Sequence, residues 1–161
     1  MHVFKPNAMQ TDALRHVLEG DDVHVSAQTG SGKTLAFLLP FIELLLRKHR
    51  PSKHVRKQQL SSPEALVLVP TRELGMQTHA IAQRLVSLLP EPFEVTLATG
   101  GARVTPQKLV LREKRTRLLI ATPERLLHHF SGRSVTLDAV RHVAIDEADV
   151  MLCADQIGQA R

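Results

Sequence analysis

A chain of 161 residues with 43% hydrophobic and 23% charged residues holds about one domain's worth of globular sequence, at roughly 150 residues per domain; collagen-like, coiled-coil and wholly disordered chains are excluded. Lys and Arg number 21 against 16 Asp and Glu, for a net charge of +5, a mild bias toward polyanionic partners such as nucleic acid. The single cysteine, Cys153, cannot close an intrachain disulfide, which fits a reducing, intracellular compartment, and it reads as an inert thiol.

The amino terminus, Met1 to Pro6, has no charged segment followed by a long apolar core, so no secretory signal is expected. Asn7 is placed to cap a helix through Ala8, Met9, Ala13, Leu14, Val17 and Leu18, whose i, i+3, i+4 spacing builds one apolar face, and Gly20 is placed to end it. Val23, Val25 and Ala27 alternate with polar residues and predict a short strand. That strand leads into a glycine loop, Gln28 to Gly32, and then a largely buried helix from Lys33 to Arg47 containing Leu35, Phe37, Leu38 and Leu39. The longest apolar stretch, Leu35 to Leu46, is broken by Pro40 and Glu43 and is shorter than the ~20 residues of a bilayer span, so no membrane partner is expected. Residues 48–63 are basic, polar or proline and predict a surface loop.

Ala65 to Val69 is a continuous apolar run closed by Pro70, the pattern of a strand covered on both faces, as in a parallel sheet. The rhythm repeats with a helix from about Arg72 to Leu89, a strand near Val95 to Ala98, a Gly100-Gly101 turn and a basic helix around Pro106 to Lys114. A strand from Arg117 to Ala121, a helix from Pro123 to Phe130 and a strand from Arg141 to Ile145 follow, leaving space for about one more helix. Alternating strands and helices predict an α/β fold with a mainly parallel sheet flanked by helices on both faces.

Two segments carry chemistry. Ala27-Gln28-Thr29-Gly30-Ser31-Gly32-Lys33-Thr34 follows the first predicted strand and opens a helix. Glycines there let consecutive N–H groups turn toward phosphate oxygens, and the helix dipole adds positive potential. Lys33 would reach the β/γ-phosphates and Thr34 would give its hydroxyl to Mg²⁺. Ala27 occupies a position where the general pattern has glycine, and the bland alternative is a Gly/Ser connector with an incidental lysine. Asp146-Glu147-Ala148-Asp149 stands at the carboxyl end of an apolar strand, where open α/β sheets place ligands. Asp146 is suited to hold Mg²⁺ and Glu147 to orient and deprotonate the attacking water; alone, the tetrapeptide would read as a solvated acidic helix start.

Gln10, Ala27 to Thr34, Pro70-Thr71-Arg72-Glu73-Leu74, Thr99-Gly100-Gly101, Thr122-Pro123-Glu124-Arg125 and Asp146-Glu147-Ala148-Asp149, in this order and at comparable spacing, resemble the first RecA-like domain of DEAD-box ATP-dependent RNA helicases. The resemblance covers essentially the whole chain and implies a RecA-like P-loop domain, with ATP and Mg²⁺ as cofactors. ATP binding and hydrolysis would be coupled to RNA binding and local duplex unwinding. It makes Lys5-Pro6-Asn7-Ala8-Met9-Gln10 the adenine-reading segment, where the Gln10 amide offers donor and acceptor together. Lys33, Asp146 and Glu147 become the catalytic residues, and Thr34 and Asp146 the metal ligands. Pro70, Thr71, Arg72, Gly100, Gly101, Thr122, Pro123 and Arg125 become contacts to successive RNA phosphates, which position a strand without reading its bases. Glu124 stands where that family has glycine.

The resemblance further implies that residues 1–161 are an N-terminal RecA-like domain incomplete at its carboxyl end, since a Ser-Ala-Thr motif and a second RecA-like domain supplying arginine fingers do not occur in this sequence. The isolated chain is therefore expected to be weakly active or inactive. A non-catalytic RNA-binding or partner-docking module that keeps the fold is the alternative reading. Two basic clusters, Arg47, Lys48, Arg50, Lys53, Arg56 and Lys57, then Arg112, Lys114, Arg115 and Arg117, either extend an RNA surface or are solvated faces. The 9 histidines show no metal-ligand spacing.

Overall fold

The computed structural model describes residues 5–28, 30–47, 61–113 and 115–153. Val3, Phe4, Thr29, most of the first basic cluster, Lys114 and residues 154–161 lie outside these ranges. The chain divides into two compact units, Met1–Arg50 and Pro51–Arg161.

The first unit contains helices α1 (Ala8–Glu19) and α2 (Lys33–Arg47), which pack on one another. Asn7 accepts a hydrogen bond from the Gln10 N–H while the Gln10 side chain accepts one from the Asn7 N–H, closing a reciprocal capping box, and Gly20 ends the helix at φ 98°. Helix α2 buries Ala36, Leu38, Phe41, Ile42 and Leu45, whereas Leu35, Phe37 and Leu39 are half-buried. Pro40 sits inside it. The strand expected at Val23 to Ala27 is not formed: residues 21–28 take neither helix nor strand, and Val23 is exposed. Alternation supplies a face, but a strand also needs a neighbouring edge to satisfy its N–H and C=O groups. The other described elements of this unit are helices, which offer none.

The second unit is a four-stranded, all-parallel sheet in the order β2-β3-β1-β4. Its elements in chain order are β1 (Ala65–Leu68), α3 (Arg72–Ser87), β2 (Glu94–Ala98), α4 (Val104–Glu113), β3 (Thr116–Ala121), α5 (Pro123–Ser131), β4 (His142–Ile145) and α6 (Ala148–Met151). The alternation therefore appears as an α/β sheet flanked by helices, as the apolar runs predict. Central strands β1 and β3 bury nearly every residue, and Val67, Leu118, Leu119 and Ile120 are wholly inaccessible. Each such side chain is worth about 1.5–3 kcal/mol of burial. Edge strand β4 alternates half-buried and exposed residues, and Val143 and Ile145 lie on its exposed side.

Register matters most for function. Ala98, Ala121, Leu68 and Ile145 form one continuous row across the four strands. One residue further, the ladder is completed by Thr122 N–H to Ala98 C=O at 3.1 Å, Val69 N–H to Ala121 C=O at 3.0 Å and Asp146 N–H to Leu68 C=O at 2.9 Å. The strands thus end flush.

Helix α3 reaches the sheet through Gly75, where a Cβ would come within 2.9 Å of the Thr99 methyl, 3.2 Å of Val69 and 3.3 Å of Leu97. Gly75→Val should therefore destabilise by about 1–3 kcal/mol through overpacking, read as a lower urea midpoint. Gly100→Ala, with nothing within 4 Å of its added methyl, should leave the unfolding free energy from the same titration within about 0.5 kcal/mol of the parent.

Candidate functional site

At the carboxyl edge of the sheet, every strand runs into one of the segments singled out by sequence. Strand β1 leads to Pro70-Thr71-Arg72, β2 to Thr99-Gly100-Gly101, β3 to Thr122-Pro123-Glu124-Arg125 and β4 to Asp146-Glu147. Parallel open sheets collect their ligands at this edge. The Thr71 hydroxyl caps α3 by accepting from the Leu74 N–H at 3.2 Å, and Pro123 opens α5 at a position where its missing N–H costs nothing. Glu124 lies exposed in the first turn of α5, where a carboxylate is favoured by the helix dipole.

Two guanidinium groups converge on the glycine turn. Gly101 has φ 74°, a backbone that favours glycine, and the Arg72 guanidinium lies in the space that a Cβ there would take. From the other side, Arg125 donates through Nη1 to the Ala102 carbonyl at 3.1 Å and to Gln107 Oε1 at 3.0 Å. Two cations beside a glycine turn are chemically suited to a phosphate chain.

Sequence reasoning missed what lies behind Arg125. Gln107 Oε1 also accepts from His129 Nε2 at 3.0 Å, and Gln107 Nε2 donates to the Thr99 carbonyl at 3.0 Å. Because Oε1 only accepts, His129 carries its proton on Nε2, and its buried Nδ1 has no partner among the described residues. His129 is 1% exposed. Burial, reinforced by the charges of Arg125, His128 and Lys108, lowers its pKa from 6.5 to about 4. The available signal was the i, i+4 spacing of Arg125 and His129, which places both on one side of α5.

At β4, Asp146 is buried, at 8% exposure, and Oδ1 accepts from the Glu147 N–H at 3.1 Å. Glu147 is exposed and adopts a left-handed backbone, φ 50° and ψ 53°. A non-glycine residue held there costs on the order of 1–3 kcal/mol, and such strain clusters where a side chain must be aimed.

In the first unit, the glycine loop is tied to the start of α1. The Asn7 amide donates to the Ser31 carbonyl at 2.9 Å and the Gln10 amide to the Gly32 carbonyl at 3.1 Å. Gln10 is buried, and its amide fills the space that a side chain at Gly32 would need. Lys33 Nζ donates to the Ala27 carbonyl at 2.5 Å. Ser31 Oγ is buried with no hydrogen-bond partner among the described residues. Thr34 follows in the first turn of α2, and Lys5 is exposed.

Arg117 in the second basic cluster has a structural task. It pairs with Glu64 at 2.6 Å and stacks over the Phe93 ring at 5.2 Å. With Arg115 it flanks the amino-terminal end of β3, opposite the glycine turn. Arg47 pairs with Glu43 one helical turn away at 2.8 Å, and Cys153 is exposed. Among the described residues, His16, Glu19 and Asp21 bring potential ligand atoms within 4.8 Å of one another; the His16–Asp21 contact of 2.9 Å is ordinary electrostatics at a helix carboxyl end. No described helix is long and apolar enough to cross a membrane.

Comparison with known proteins adds to this geometry. The DEAD/DEAH box helicase family profile matches residues 7–161. The chain is 35% identical over 149 residues to the ATP-dependent RNA helicase dbp9 of Schizosaccharomyces pombe, covering 92% of this chain and 24% of that protein. It is 41% identical over 147 residues to the probable ATP-dependent RNA helicase DDX59 of Mus musculus, covering 91% and 22%. With the ATP-dependent RNA helicase DBP3 of Chaetomium globosum it shares 39% identity over 148 residues, covering 91% and 26%. The chain thus spans about a quarter of the length of these curated relatives.

The buried histidine makes a prediction. Between pH 6.5 and pH 4 the unfolded chain binds a proton at this position that the folded chain refuses, so stability contributed by His129 is present above pH 6.5 and falls as the pH drops through that window, by on the order of 3 kcal/mol. Urea midpoints measured from pH 7 to pH 4 should decline less steeply in His129→Gln than in the parent.

Proposed function

Because the chain belongs to the DEAD/DEAH box helicase family, we propose that it is the ATP-binding half of an ATP-dependent RNA helicase, coupling ATP binding and hydrolysis to RNA binding and local duplex unwinding when joined in cis to a second RecA-like domain. The observation that carries this reading is the flush carboxyl edge, where the segments following all four strands start at one level. Three of those segments are suited to hold an RNA backbone. Arg72 and Arg125 supply charge at the glycine turn, Thr71 a hydroxyl, and Gly100 and Gly101 close backbone approach.

The residues of the loop fit a nucleotide phosphate. Ser31 Oγ is a buried polar atom with no partner among the described residues, and the Lys33 ammonium rests on a loop carbonyl, a contact that a phosphate oxygen would replace with gain of charge. Gln28, Thr29, Gly30, Ser31 and Gly32 would present backbone N–H groups, with Ala27 at the start of the loop and Lys33 neutralising the β/γ-phosphates. Gln10 uses one lone pair and one N–H on Asn7 and Gly32, which leaves one of each for an adenine edge. Lys5 lies in the same segment.

Thr34 in the first unit and Asp146 in the second each offer an oxygen suited to Mg²⁺, an ion that when bound would supply positive charge against the charge developing on the phosphates. Glu147 would orient the attacking water and accept its proton. In phosphoryl-transfer enzymes an arginine finger is worth 10³–10⁵ in turnover. With such a finger supplied in cis by a second RecA-like domain, residues 1–161 taken alone would bind ATP weakly and hydrolyse it slowly or not at all.

Calorimetric titration of the chain with ATP and Mg²⁺ tests the nucleotide reading. Saturable binding is expected, weaker for GTP and reduced at least tenfold by Lys33→Ala, which removes a charge contact worth more than about 1.4 kcal/mol. A folded chain that takes up no ATP at millimolar concentration contradicts it.

A further inference from the structure

We infer that Gln107 is a positioning residue for RNA binding: its amide holds the Arg125 guanidinium against the glycine turn, and His129 holds that amide in orientation. The inference rests on the reading of the carboxyl edge as an RNA surface and adds to it a residue from α4.

The amide is committed on both sides. Oε1 accepts from Arg125 Nη1 and from His129 Nε2, each at 3.0 Å, and Nε2 donates to the Thr99 carbonyl at 3.0 Å. Flipping the amide would set its N–H groups against two donors and leave the Thr99 carbonyl facing an oxygen. His129 enforces the choice, because the other neutral tautomer would bury a donor at Nδ1, where the described residues offer no acceptor. One side chain therefore joins the end of β2 at Thr99, helix α4 and helix α5.

The consequence concerns entropy. An unrestrained arginine has many rotamers to lose, and a guanidinium already fixed beside the turn by the Ala102 carbonyl and Gln107 loses fewer of them when a phosphate arrives. Gln107 therefore raises RNA affinity through Arg125.

The test is fluorescence anisotropy of a labelled oligouridine against the 161-residue chain over a range of salt, with double-mutant cycles that pair Arg125→Ala with Gln107→Leu and with Gln107→Met. Arg125→Ala should weaken binding and reduce the slope of log affinity on log salt by about 0.7, one single-strand phosphate contact. Gln107→Leu should weaken binding about 3–10-fold with the slope kept, since the Arg125 charge remains, yet add nothing on the Arg125→Ala background. Gln107→Met keeps the length of the side chain without its amide, should behave as Gln107→Leu does, and carries the test if the leucine variant fails to fold. Parent affinity in the folded Gln107 variants, or a loss that persists undiminished on the Arg125→Ala background, overturns the inference while leaving the RNA surface standing. Arg125→Ala binding with parent affinity and slope overturns the inference together with the RNA role of Arg125.

Discussion

Parallel pairing is the constraint on which the second unit depends. When strands run the same way, their carboxyl ends fall on one side, and the register decides whether they also fall at one level. Here Ala98, Ala121, Leu68 and Ile145 share a row, so the residues that follow begin their separate paths from a common line. Close packing underneath fixes that line. Leu66, Ala98, Leu111, Leu119, Ala121 and Val135 form one buried cluster, and slipping β1, β2 or β3 by one residue would take Leu66, Ala98, or Leu119 and Ala121 out of it. The functional edge is thus held by the core.

Small residues and short polar side chains convert this edge into a surface. Gly75 lets α3 approach closely enough to set Thr71 and Arg72 beside the neighbouring turn, and Gly101 gives the Arg72 guanidinium its place. Arg125 comes to the same turn from α5, held by a carbonyl and an amide. In the first unit the device is different: a capping box at the start of α1 uses one face of the Gln10 amide, and the same side chain reaches the Gly32 carbonyl. Helix capping and loop shape are thereby coupled through a single buried glutamine.

Helix limits were legible because local chemistry sets them. Asn7 caps α1 and Gly20 ends it, Thr71 caps α3, and Pro123 starts α5, each through groups within a few residues. The buried strands were legible from apolar runs flanked by breakers. Val23 to Ala27 was misjudged because alternation reports a face and says nothing of a partner edge. The candidate residues of the sheet edge were found through their order and their family resemblance. Gln107 and His129 were not, since their network joins positions 8 to 22 residues apart, and the i, i+4 spacing of Arg125 and His129 gives a shared helix side without pointing to Gln107. The left-handed backbone of Glu147 was equally invisible, because nothing in a glutamate side chain favours that region.

The central claim is that the flush carboxyl edge of the sheet is the nucleic-acid surface. Its most direct test is to titrate an unlabelled oligouridine into the isotopically labelled chain and follow backbone amide shifts. Saturable shifts at Thr71, Arg72, Gly101 and Arg125, with Glu94, Thr116 and Arg117 at the opposite edge unmoved, are the predicted result. Shifts concentrated at that opposite edge, or no saturable shift in the folded chain, would contradict it.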